Sequence, residues 1–91
     1  MIPLELFYKD PDEVLDYVGD WSAWLGTDTI ATASWDVPEG ITDDSTSTTA
    51  TTTTIWLSGG TAGAVYDVSC CASTAGGRVG CRTIRVSVVE R

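Results

Sequence analysis

The sequence predicts an all-β domain: an antiparallel β-sandwich with an extended N-terminal arm. Three observations carry this reading. Apolar and polar residues alternate on both sides of Ala75-Gly76-Gly77, the two-residue period of strands with one buried face. Breaks rich in Gly and Pro, at Pro38-Glu39-Gly40 and Ser58-Gly59-Gly60-Thr61-Ala62-Gly63, divide the chain into segments of strand length. A length of 91 residues suits one sandwich and leaves no room for a second domain. Residues 1–12 are assigned to the arm and 13–91 to the sandwich.

The arm rests on Pro3 and Pro11, which bias the residues before them away from helix, and on Asp10-Pro11-Asp12, which is turn chemistry. A first strand is expected over 14–21, with Leu15 and Tyr17 opposed to Asp16 and Val18, and Gly19 weakening or bulging it. After a connection at 22–28, a second strand over 29–37 places Ala31, Ala33, Trp35 and Val37 on one face. The run 42–54 is almost wholly Thr, Ser, Asp and Ala. Its second half continues into Ile55-Trp56-Leu57 and reads as a strand with a solvated face, because Thr is β-branched; Asp43-Asp44-Ser45 reads as a loop tip, with a short strand between Ile41 and Thr49.

The next strand, 64–74, turns Tyr66, Val68, Cys70 and Ala72 to one face, and the last, 79–89, turns Ile84, Val86 and Val88 inward. Strand parity then requires a three-residue loop at Ala75-Gly76-Gly77 with Gly77 left-handed, placing Cys70 opposite Arg82 and Cys71 opposite Cys81 on the outer face, a cross-strand pair that could oxidise outside the cell. Leu57, a Gly-containing crossing and then Tyr66 match the spacing of the tyrosine corner of immunoglobulin-like sandwiches.

Composition excludes several functions. With a formal charge of −8, no His and five Lys plus Arg, the chain lacks the counterion-releasing surface that binds nucleic acid. The N-terminal apolar stretch has no basic flank and is interrupted by Glu5 and Lys9, so neither a signal peptide nor a membrane span is expected, and the chain is expected to stay in the cytoplasm where it is made. Three cysteines, an odd number, are read as thiols in a reducing compartment, and no disulfide is expected to hold the fold.

Candidate chemistry is sparse. Asp10, Asp12, Glu13 and Asp16 lack the Gly and terminal Glu of an EF-hand loop and read as a solvated turn. Cys70, Cys71 and Cys81 have no His with which to build a nucleophile or a zinc site, and Gly59-Gly60-Thr61-Ala62-Gly63 has no following Lys to cradle phosphate. No catalytic, metal or cofactor residue is therefore assigned. Of the four tryptophans, Trp35 and Trp56 are read as core, and Trp21 and Trp24, beside a turn, as edge or interface. Ile2, Leu4, Leu6, Phe7 and Tyr8 are too apolar for a free tail and join them as expected interface residues.

The motifs Lys9-Asp10-Pro11-Asp12-Glu13-Val14-Leu15-Asp16-Tyr17, Asp20-Trp21-Ser22-Ala23-Trp24-Leu25, Ile55-Trp56-Leu57-Ser58-Gly59-Gly60-Thr61-Ala62-Gly63, Tyr66-Asp67-Val68 and Thr74-Ala75-Gly76-Gly77-Arg78 resemble those of the small tailed-phage and prophage proteins termed fiber-tail adaptor-like. The resemblance covers the chain from about Lys9 onward. It implies an immunoglobulin-like sandwich without enzymatic activity, made in the host cytoplasm and incorporated into a virion in several copies. The partners it implies are other virion proteins of the tail, neck, fiber or capsid, with no nucleic acid, membrane or cofactor. The function expected is an adaptor linking tail or neck to fibers; the alternatives are capsid decoration and a Trp-based carbohydrate-binding module for host attachment. Cys70, Cys71 and Cys81 stand where the resemblance predicts polar strand residues.

Overall fold

The computed structural model describes residues 5–90. In chain order these form β1 (Glu5–Lys9), β2 (Leu15–Asp20), α1 (Ser22–Leu25), β3 (Ile30–Asp36), β4 (Ile41–Thr48), β5 (Thr52–Gly59), β6 (Val65–Thr74) and β7 (Val79–Val88). Two sheets face one another, β1-β7-β6-β3 and β2-β5-β4. The all-β sandwich expected from the alternation is present. Tyr17, Ile41, Ile55, Leu57, Tyr66, Val68, Val86 and Val88 form the main core between the sheets, and Trp21, Leu25, Ile30, Cys70 and Ala72 fill one end.

The β6–β7 hairpin has the register that parity requires. Tyr66 faces Val86, Val68 faces Ile84, Cys70 faces Arg82 and Cys71 faces Cys81. The loop is Ala75-Gly76-Gly77: Gly77 N–H donates to the Thr74 carbonyl at 3.1 Å, Thr74 N–H to the Arg78 carbonyl at 2.8 Å, and Gly77 has φ +89°. This is a type I turn closed by a left-handed glycine, the common three-residue hairpin. Counting outward from the hydrogen-bonded Thr74–Arg78 pair, Cys71 and Cys81 form a non-hydrogen-bonded pair, the kind in which side chains approach most closely. They are joined by a disulfide, with Cα atoms 4.0 Å apart. This corrects the expectation of three thiols; Cys70, on the buried face, is the free one.

At the opposite end of β6, Thr61 N–H donates to the Tyr66 hydroxyl at 3.0 Å, pinning the crossing from β5 to β6. The Tyr66 ring lies against Gly40 and Gly60, where an added Cβ would come within 2.9 Å and 3.4 Å of ring carbons. Gly60 also admits Val88, whose Cγ2 would lie 2.7 Å from such a Cβ. The two glycines thus hold open the slot that the ring occupies.

Elsewhere the structure departs from the sequence reading in identifiable ways. Asp43-Asp44-Ser45 is no loop tip: β4 runs through it, accommodated by a bulge that lets Asp43 pair with Leu57 and Ser45 with Trp56. The reversal comes later, at Thr49-Ala50-Thr51, where Thr49 Oγ1 accepts the N–H of Thr52 at 3.0 Å. A second bulge between Ile30 and Thr32 in β3 makes Ile30 the buried residue and leaves Ala31 exposed, while Ala33 and Trp35 keep the inward side. The connection after β2 contains α1, and its capping residue Trp21 and last residue Leu25 enter the end cluster one turn apart.

The expected arm is extended, and its described part is paired into the sheet. β1 lies parallel to β7, with Glu5 opposite Ile84 and Lys9 opposite Val88. Lys9 is 0% exposed, and its ammonium donates to the carbonyls of Asp10 at 2.9 Å and Gly59 at 2.7 Å. This ties the edge of one sheet to the end of the central strand of the other.

Two outcomes follow from the hairpin. Gly77→Val should lower stability by about 1–2 kcal/mol in urea unfolding, because a β-branched residue is forced left-handed; an unchanged midpoint contradicts the turn geometry. Alkylation of the unfolded, unreduced protein should label one cysteine, Cys70, and after reduction all three, read as mass increments.

Candidate functional site

The residues expected at an interface fall into two structural groups. Ile2 and Leu4 lie outside the described residues. Leu6 and Tyr8 project from the outer face of β1, 52% and 55% exposed. Phe7, between them, turns inward by the strand's alternation and meets Tyr17 edge to face, ring centroids 5.0 Å apart. The two exposed side chains therefore sit on a strand whose intervening residue is packed into the sandwich.

Trp21 and Trp24 form the second group and are built differently from expectation. Trp21 is fully buried, and its indole N–H donates to Thr53 Oγ1 at 3.0 Å. Sequence placed it at an edge because it stands beside a turn. The short helix folds that turn back over the end of the sandwich, which the strand pattern alone does not reveal. Trp24 is half-buried, 5.4 Å from Trp21 by ring centroids, and covers Gly80, where a Cβ would collide with its ring at 2.7 Å. Arginines cap both rings: Arg82 lies 4.4 Å from the Trp21 centroid and Arg78 4.4 Å from that of Trp24. Their guanidiniums also donate to the carbonyls of Asp20 and Trp24 respectively. The pair forms an end plug rather than an open aromatic platform.

Electrostatics tie this plug to the hairpin tip. Asp28 is held below the ordinary carboxylate range chiefly by the Thr74 hydroxyl, then by the Thr29 N–H, with Gly76 N–H and Arg78 adding to it. Its Oδ1 accepts from Thr29 N–H at 2.8 Å and Gly76 N–H at 3.0 Å. Asp20 is lowered mainly by the Ser22 N–H at the start of α1, and Asp67 by the Arg85 guanidinium beside it on the outer face. Burial pushes the Cys70 thiol up, making it a packing residue and a poor nucleophile at neutral pH.

Between the sheets, beside this plug, is a cavity of about 30 Å³, enough for one or two waters. Trp35 Nε1 and Arg82 Nε, buried donors without an acceptor among the described residues, belong to side chains that line it. In the acidic turn, Asp10 N–H donates to Glu13 Oε1 at 2.8 Å and Asp12 N–H to Asp10 Oδ1 at 2.9 Å, so these carboxylates close the turn. Among the described residues no group of three or more His, Cys, Asp or Glu side chains could hold a metal ion, and no helix is long and apolar enough to cross a membrane.

Sequence reasoning missed Trp56. Placed in the core by its apolar neighbours, it instead points outward from β5 and is 41% exposed. Thr53, Ile55 and Leu57 are buried, and strand parity puts Trp56 on the other face. Val14 and Val18, also exposed, flank it on the β2 side.

The family model described as podophage GP4 fiber-tail adaptor protein gp77 matches residues 9–87, from Lys9 into β7. The chain belongs to this family. Comparison with curated proteins returns no match.

The lowered carboxylates have a defined consequence for stability. A carboxyl whose pKa falls on folding contributes fully above its unfolded value and loses that contribution as pH drops through the lowered folded value. Asp28→Asn should therefore unfold at lower urea than wild type at pH 7, and the gap should close as pH falls below about 4. A gap of constant size down to pH 2 would show that Asp28 acts through something other than its charge.

Proposed function

We propose that this fiber-tail adaptor family member is a non-enzymatic structural protein of a tailed-phage virion, present in several copies and linking tail or neck to fibers through protein–protein contacts. Family membership over residues 9–87 is the observation that carries the reading. The structure supports it with a free sheet edge at β1, bearing exposed Leu6 and Tyr8, to which a partner strand can add. We assign the attachment surface to this edge through Leu6 and Tyr8, and extend the assignment to Ile2, Leu4, Phe7 and Trp24. Trp21 contributes by fixing Trp24.

The sandwich is, on this reading, immunoglobulin-like. Lettered A to G in chain order, its sheets run B-E-D and C-F-G with A beside G, and the Tyr66–Thr61 bond occupies the corner before strand F. Synthesis takes place in the host cytoplasm, and the virion is the final location. Trp21 and Trp24 lend no support to the carbohydrate-binding alternative, since one is buried in its own chain and the other is capped by Arg78.

Purified virions should contain the chain at a fixed multiple of the tail symmetry, and phage lacking its gene should yield particles without fibers or with incomplete tails. Normal particles in its absence, with the chain recovered only as free protein, would overturn the adaptor reading. Complete but fragile particles would replace it with capsid decoration.

A further inference from the structure

A second surface lies on the opposite side of the molecule from the β1 face. The outer face of β2-β5-β4 centres on Trp56, which stands opposite Asp16 of β2 and Ser45 of β4. Val18 pairs with Thr54, and the same register sets Val14 beside Ser58, so the two exposed valines flank the indole diagonally across β2. The strands of this sheet carry Asp16, Asp20, Asp43 and Asp44 and no Lys or Arg.

The cations among the described residues are all engaged elsewhere. Lys9 is buried on carbonyls, Arg85 pairs with Asp67 at 2.9 Å, and Arg78 and Arg82 lie on Trp24 and Trp21. In these last two sites the chain itself shows what covers an indole here: a guanidinium 4.4 Å from the ring centroid, completed by an oxygen acceptor. Trp56 offers the same ring, with Asp16 opposite it on β2 and no cation over it among the described residues.

We propose that the β2-β5-β4 face is a protein-docking surface on which an arginine of a basic partner surface stacks on Trp56 and pairs with Asp16, with apolar side chains covering Val14 and Val18. The occupant follows from charge complementarity: the face is acidic, its centre is an uncapped indole, and a guanidinium satisfies both. The inference rests on the adaptor reading and gives the adaptor a second attachment surface, facing away from β1.

The test uses phage carrying Trp56→Ser or Asp16→Asn, with Ser69→Ala on the outer face of the other sheet as control. The variant chains are first shown by circular dichroism to melt like wild type, since both tested side chains are exposed. Trp56→Ser should reduce the copies per virion by about tenfold or more, as loss of a central aromatic anchor does; Asp16→Asn should weaken retention and lessen its sensitivity to salt. A photo-crosslinker at Val18 in assembled virions should join a peptide from a different virion protein on an Arg-bearing surface. Normal copy number for Trp56→Ser overturns the proposal while leaving the adaptor reading intact; a chain absent from wild-type virions overturns the adaptor reading itself. Crosslinking to a second copy of this chain, or normal copy number with lost adsorption to host cells, also overturns the proposal, the latter pointing to a glycan ligand.

Discussion

The register of the β6–β7 hairpin decides which side chains meet throughout the molecule. These two strands are the inner pair of the four-stranded sheet, with β3 against one and β1 against the other, so their alignment propagates to both edges. A slip of one residue would turn Tyr66, Val68, Cys70 and Ala72 to the outside and carry the Cys71 side inward. The Gly77 turn excludes such a slip from one end and the Tyr66 hydroxyl from the other. Between them the Cys71–Cys81 bridge closes the same register covalently. The hairpin's register is thus fixed by local chemistry as well as by the strands on either side of it. That suits a domain of this size, whose core alone supplies little surplus stability.

This also explains which parts of the fold were legible in the sequence. The hairpin was, because its alternation is uninterrupted and its loop length follows from parity. Trp56 was legible in principle from the same rule, given Thr53, Ile55 and Leu57 as an inward set, but apolar character was allowed to outweigh parity. The bulges at Asp43–Ser45 and Ile30–Thr32 were not legible, since an extra residue in one strand is defined only against its partner strand. Nor was the burial of Trp21, which depends on four helical residues folding over the end of the sheets. The disulfide lies between these cases: the facing of Cys71 and Cys81 is legible from parity, whereas the redox surroundings that decide their oxidation are not written in any local pattern.

The candidate site divides in the same manner. Apolar character grouped Leu6, Phe7 and Tyr8 as one interface set, whereas the strand turns Phe7 inward onto Tyr17; the pairing of β1 with β7 joins segments from the two ends of the chain, and no local pattern encodes it. The end plug likewise draws on three distant segments. Trp21 caps α1 and Trp24 lies within it, Arg82 comes from the second hairpin strand and Arg78 from the turn just before that strand, and Thr53 from β5. Its logic is visible once assembled: the guanidiniums cover rings that would otherwise face solvent, and Gly80 leaves the space for Trp24.

Lys9 shows how a strand can belong to the fold and still offer the edge proposed for attachment. An ammonium with no exposed surface is costly to bury unless its donors are engaged, and here two carbonyls receive them, one adjacent and one at the end of β5. The Lys9 carbonyl in turn accepts the N–H of Val89, closing the last position of the parallel pair. With Phe7 packed on Tyr17 two residues earlier, β1 is anchored to both sheets through its inward side chains. Its outward side chains and free edge are left to meet something else. A strand fixed in this way presents its edge in a defined position before a partner arrives, so less ordering remains to be done when the partner binds.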